Sequence, residues 1–337
     1  MIDLVNALTL LANYVLVPGI TYGSQLGLGA LGVTIVYGIL RFSNFAHGDT
    51  MAFGTMVTIL LTLWIQSLGI TFYPLPTALL MIPFGVVITA ILVLGIDKAV
   101  YAHFRQVNAP PVMFVIASVG VMFVLQGLLR LIIGPDDQSF ADGARFIIRA
   151  REFKEYFGLS EGLSIKVTQL MSLVVTFLLV ISLFWFLHRT RTGKSLRAYS
   201  DNRDLAQLSG INPDRVVLYT WVLATALATI AGVLYGLDKS FKPSVYFQLL
   251  LPIFAAAIAG GLGNPFGAFV GGFVVAFSEI AITYAYKRFF AYLLPEELEP
   301  TTLLQLLGTE YKFAVSFLIL VIVLLIRPSG IFAGKTA

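Results

Sequence analysis

The sequence predicts an all-α, polytopic bundle of membrane-spanning helices, and three observations carry that prediction. Hydrophobic residues fill 58% of the 337 positions and charged residues only 12%, too little ionic surface to face water over most of the exterior. The stretch from Thr50 to Ile96 contains no charged residue. Apolar runs close to the roughly 20 residues that a helix needs to cross a bilayer recur eight or nine times along the chain. A single integral membrane domain over residues 1–337 follows, with the lipid bilayer as its main partner.

The formal charge of +4 is small and scattered, and basic residues beside spans are expected for topology alone, so no nucleic acid is implied. The absence of cysteine excludes disulfides, thiolate metal sites and thiol catalysis. His47, His103 and His188 are dispersed without metal-like spacing, so neither a metal site nor a catalytic cluster is expected.

Taken in order, the N-terminal MIDLVNALTLLANYVLVPGI lacks a basic leader and a small-residue cleavage site, and is read as a retained interfacial or entering helix. Crossings are expected at about 20–40, 50–68, 75–96, 112–133, 167–187, 216–237, 248–262, 266–286 and 313–326. The seventh is short and bounded by Pro252 within and Asn264-Pro265 beyond, which suggests a half-membrane segment buried in protein. The loop of residues 189–215 holds Arg189, Arg191, Lys194, Arg197, Arg203 and Arg215 against three aspartates, which places it in the cytoplasm by the positive-inside rule. Parity puts the loop with Asp97, Lys98 and Arg105 on the same side. The loop of residues 134–166 and the acidic run with Glu296, Glu297 and Glu299 then fall outside.

Gly23, Gly27, Gly29 and Gly32 in the first crossing, and Gly260, Gly261, Gly263, Gly267, Gly271 and Gly272 around the seventh and eighth, mark helices whose backbones approach closely. TIVYGILRFSNF and GVLYGLDKSFKP echo one another five crossings apart, as an inverted repeat would.

The basic loop carries the mechanistic signal. From Ser200 it reads as a short amphipathic helix, with Ser200 or Asp201 as N-cap and Gly210 as the left-handed residue after its end. Ala198, Leu205 and Leu208 share one side, Arg203 and Gln207 another. Such a helix suits an interfacial anchor, a knob for a soluble partner, or a solvated loop made basic by topology.

GKSLRAYSDNRDLAQLSGINPDRV, then AGVLYG, then AAAIAGGLGNPFGAFVGGFVVAFSE, with VYGILRFSNFAHGD and DKAVYAHFR earlier, occur in order over nearly the whole chain. Together they resemble the LivH-type permease family of branched-chain amino acid ABC importers. The resemblance implies a cytoplasmic coupling helix at 200–210 that docks on an ATP-binding subunit through Arg203, Asp204, Leu205, Ala206, Leu208 and Gly210. The family pattern has a small pair where this chain has Leu205-Ala206. It further implies two ATP-binding subunits that use ATP and Mg, a homologous second permease, an extracytoplasmic solute-binding protein, and residence in the bacterial cytoplasmic membrane. No cofactor is implied in this chain.

The chain is not expected to hydrolyse ATP. Gly193-Lys194-Ser195 is similar to the end of a phosphate loop, but the required earlier glycine falls at His188. Candidates for the translocation path are Thr21, Ser24, Gln25, Asn44, His47 and Glu279. Each has a plainer reading: helix-to-helix hydrogen bonding for the first three, a bonded turn in SNFAHGD for Asn44 and His47, and an interfacial reach for Glu279. The scarcity of charge within the spans favours a passive conduit driven by an external ATPase over a gradient-driven secondary transporter, which commonly displays midplane carboxylates. Branched-chain or related amino acids are the expected cargo, with urea or short amides as the alternative for the same machinery.

Overall fold

In lipid every backbone polar group must be bonded within the protein, so apolar runs of this length have no alternative to helix. The computed structural model describes residues 2–73, 75–134, 136–140, 145–295, 298, 300, 302–327 and 329–332. Among the described residues, nine helices are long and apolar enough to cross a membrane. The residues Glu296, Glu297 and Glu299 of the expected acidic outer loop lie outside the described set.

The first span combines α1 (Ile2–Leu11), a π-helical turn (Ala12–Leu16) and α2 (Val17–Leu40). Then come α3 (His47–Ser67), α4 (Ala78–Ile96) with its π-helical extension (Asp97–Tyr101) and α5 (Ala102–Gln106), and α6 (Pro111–Ile133). An excursion of β1 (Phe146–Ile148), α7 (Ala150–Phe157) and β2 (Ile165–Lys166), with the two strands antiparallel, leads into α8 (Val167–Arg189). The chain continues through α9 (Arg191–Asp201), α10 (Arg203–Leu208), α11 (Pro213–Lys239), α12 (Pro243–Gly260), α13 (Pro265–Thr283), α14 (Lys287–Ala291) and α15 (Lys312–Ile326).

The centre of the bundle is α2, buried along nearly its whole length. Its glycines are the cause. A Cβ on Gly23 would stand 2.8 Å from the ring of Phe273, and one on Gly272 would meet the backbone of Gly27, so α2 and α13 touch main chain to main chain.

α2 packs on α11, α12 and α13, while α11 packs on α2, α3 and α4. α3 lies against α4 and α6, and α12 lies against α13 and α15. Exchanging α2, α3, α4 and α6 with α11, α12, α13 and α15 maps this packing onto itself, the arrangement an inverted repeat produces. The echoed sequences sit at equivalent places. α2 is followed by Arg41 at φ 60° and the buried Phe42, and α11 by Ser240 at φ 69° and the buried Phe241.

The seventh span departs from expectation. α12 starts at Pro243 rather than near Gln248, because proline is preset for the first helical position, and it runs unbroken through Pro252 for 18 residues, about 27 Å. Irregular backbone at depth occurs elsewhere, at residues 41–46. After Arg41 the chain turns back into the bundle: Phe45 N donates to Ser118 Oγ at 3.1 Å, and His47 Nε2 lies 3.1 Å from Gly29 O. Gly29 is eleven residues, about 16 Å, above the end of α2.

Candidate functional site

The element that the sequence marks for docking is two helices rather than one. Asn202 leaves the helical region at φ −149°, ends α9, and caps α10 by accepting from Leu205 N at 3.0 Å. Ser200 and Asp201, the caps expected from sequence, instead close α9. An asparagine side chain mimics a backbone acceptor better in this extended conformation than inside a helix. Gly210 takes φ 83°, as expected for the residue that stops the element.

The six residues expected to meet a partner divide by surroundings. Leu208 is 85% exposed and Leu205 61%, beside the exposed Asp204, whereas Ala206 is only 4% exposed and anchors the helix. Arg203 turns inward: its Nη2 donates to Ile39 O at 2.9 Å and its guanidinium lies 5.4 Å from the ring centre of Tyr199. Ser200 Oγ donates to Gly38 O at 3.0 Å, and Arg41 Nη2 donates to Ser200 O at 2.6 Å. Three long-range hydrogen bonds therefore fasten α9 and α10 to the last turn of α2, a link not apparent from sequence adjacency, which ties them only to α8 and α11. Cavities of 680 and 700 Å³ flank this junction, one lined by Gly38, Arg197 and Asn264, the other by Arg41, Arg203 and Asp204.

The same end holds a second lock that sequence reasoning missed. Arg105 forms a two-pronged ion pair with Asp97 at 2.6 and 2.8 Å, and Trp221 Nε1 donates to Asp97 Oδ1 at 2.7 Å. Tyr101 stacks on Trp221 with ring centres 5.4 Å apart, and Phe42 packs against both. Asp97, Tyr101 and Arg105 recur at helical spacing, which was the available signal; Trp221 lies too far along the chain to be linked without coordinates.

The path candidates are separated rather than brought together. Thr21 and Ser24 are buried and donate to carbonyls of their own helix, and Gln25 Nε2 donates to Leu234 O at 3.2 Å. Asn44 Oδ1 accepts from Ala46 N, and with the His47 contact to Gly29 forms a bonded turn. Glu279 is buried near the opposite end, where Ser316 Oγ donates to its carboxylate and Lys312 is the neighbouring cation. That cluster joins α13 to α15. Among the described residues no three His, Cys, Asp or Glu side chains gather as a metal site.

Nine candidate spans among the described residues, eight of them packed as two related four-helix units, with a braced, partly apolar knob between two of them, define a polytopic membrane protein. The chain belongs to the family described as branched-chain amino acid transport system, permease component, whose model matches residues 15–324. It is 31% identical to the high-affinity branched-chain amino acid transport system permease protein LivH of Escherichia coli, covering 93% of this chain and 92% of that protein. It is 30% identical to the corresponding permease protein BraD of Pseudomonas aeruginosa, over 94% of both chains. Identity is also 30% with the probable branched-chain amino acid transport permease protein LivH of Methanocaldococcus jannaschii, over 94% of this chain and 91% of that one. The chain is thus a multi-pass permease of the cytoplasmic membrane.

Proposed function

We propose that this permease imports branched-chain or related amino acids, and that α9 and α10 are the cytoplasmic contact through which two separate ATP-binding subunits drive it. ATP and Mg are handled by those subunits, and this chain performs no catalysis. A homologous second permease completes the passage and an extracytoplasmic protein delivers the solute. The substrate class is supported by three relatives of full-length similarity that share that cargo in their names.

The observation that carries the docking role is the exposure of Leu205 and Leu208 on a helix capped at Asn202 and fastened to α2. Two exposed leucines on a rigid mount are costly unless covered, and burying each is worth roughly 1.5–3 kcal/mol. The basic flanks support a cytoplasmic position for this end. Closure of the ATPase pair then moves α9 and α10 as a rigid body and carries α2, α8 and α11 with them.

The test is reconstitution of the permease pair with its ATPases in liposomes. Loaded binding protein should stimulate ATP hydrolysis and leucine uptake, and uptake should persist when ion gradients are collapsed. Leu208→Asp should insert normally yet bind the ATPase at least about tenfold more weakly. Uptake that ignores ATP and fails with the gradient would overturn the proposal, and selective uptake of urea or a short amide would replace the cargo.

A further inference from the structure

Of the sequence candidates for the path, the hydroxyls of Thr21 and Ser24 and the amide nitrogen of Gln25 are bonded inside the bundle, while Gln25 Oε1 has no partner among the described residues. A polar groove does open on the outer flank of the domain, between α6 and α12. Gln126 and Arg130 of α6 line a 140 Å³ cavity together with Ser244 and Gln248 of α12. Arg130, Ser244 and Gln248 are exposed, and among the described residues no hydrogen bond reaches their side chains. Gln126 lies seven residues before the end of α6 and Gln248 five after the start of α12, about 10 and 7 Å below those helix ends.

Behind the groove stands Asp49, 0% exposed. Its Oδ2 accepts from Gln126 Nε2 at 3.4 Å, while Oδ1 has no partner among the described residues. Arg130 is the cation that bears on it. Lipid is a costly neighbour for such a face. An unpaired amide such as that of Gln248 costs several kcal/mol in an apolar medium, and glutamine is too short to reach the interface as Arg130, three residues from the end of α6, can.

We propose that the α6–α12 groove is one wall of the solute passage at the end opposite α9 and α10. Arg130 receives the solute's carboxylate, and Gln126, held by Asp49, and Gln248 line the way inward. The assignment to a carboxylate rests on the amino-acid reading above. A guanidinium with no bonded partner offers two parallel donors to a carboxylate, and no other cation lines this cavity.

The experiment uses the assembled importer in liposomes and a chain that contains no native cysteine, so each introduced thiol is unique within it. Ser244→Cys and Gln248→Cys should react with a membrane-impermeant cationic methanethiosulfonate added from outside, and modification should block leucine uptake. Val124→Cys, on the same helix nine residues before its end, at a position 63% exposed but away from the cavity, should stay unmodified until detergent is added. Arg130→Gln should raise the leucine concentration for half-maximal uptake by at least about tenfold, the loss of the charge-assisted contact, with Arg130→Lys partly restored. Groove thiols as inert as Val124→Cys, whether because lipid or the second permease seals them, would overturn the proposal. Inert thiols in a complex that imports leucine sink the groove alone. Reactive thiols in a complex that imports only urea or an amide leave the groove standing and remove the carboxylate role.

Discussion

A single methyl group decides whether α2 and α13 can meet. A Cβ on Gly272 would strike the main chain of Gly27, which has no rotamer to yield, whereas one on Gly120 meets nothing within 4 Å. Gly272→Val should therefore cost about 1–3 kcal/mol or more through overpacking, and Gly120→Ala should be near neutral; thermal unfolding in detergent compares them directly. The glycine spacing was legible in the sequence because only close helix approach calls for it. The fate of Thr21, Ser24 and Gln25 was not, because a hydroxyl or amide within an apolar helix is written the same way whether it bonds its own turn, a neighbour or a passing solute. Here rotamer and neighbouring helix decide, and the hydroxyls turn back to their own carbonyls. Gln126 and Gln248 pose the reverse case. Nothing in their local sequence distinguishes them from buried amides, and only the meeting of α6 with α12 brings both to one groove.

At the scale of elements, the pair α9 and α10 has three attachments. Sequence adjacency links α9 and α10 to α8 and α11, but the bonds of Ser200, Arg203 and Arg41 bind them to the end of the central helix α2. Combining Ser200→Ala with Arg203→Ala removes two of these bonds, roughly 1 kcal/mol for the neutral one and 1.5–3 for the charged one. Under the proposed docking role Leu205 and Leu208 would remain to meet the ATPase, so ATP hydrolysis should persist while solute moved per ATP falls. A ratio equal to that of the unaltered complex would show that α2 takes no part in transmission. The sequence pattern located this loop to within a few residues yet read it as one helix. The division at Asn202 arises because an asparagine that accepts from the next turn's N–H is stabler outside a helix than within it, and a cap is chosen by the packing of the flanking turns as much as by residue type.

For the whole molecule, the contact pattern of two interlocked four-helix units puts α9 and α10 at one end and α7 at the other. In intact cells, Asn202→Cys should be shielded from an impermeant thiol reagent until the membrane is opened, and Tyr156→Cys should react at once; labelling in the reverse order would invert the assigned topology and detach the knob from any cytoplasmic ATPase. The chain's own residues determined that the crossings number eight or nine, the positions of most of them to within a few residues, the basic character of the 189–215 loop and the family. Those follow from local quantities: the cost of putting a charge or an unbonded amide in hydrocarbon, and the count of residues needed to cross it. Tertiary structure decided which helix lies at the centre, that residues 41–46 re-enter the bundle, that the docking element grips α2, and that four polar side chains from α6 and α12 share one groove. Each of those depends on surfaces brought together from distant parts of the chain, and packing between them is set by shape rather than by any residue's own preference.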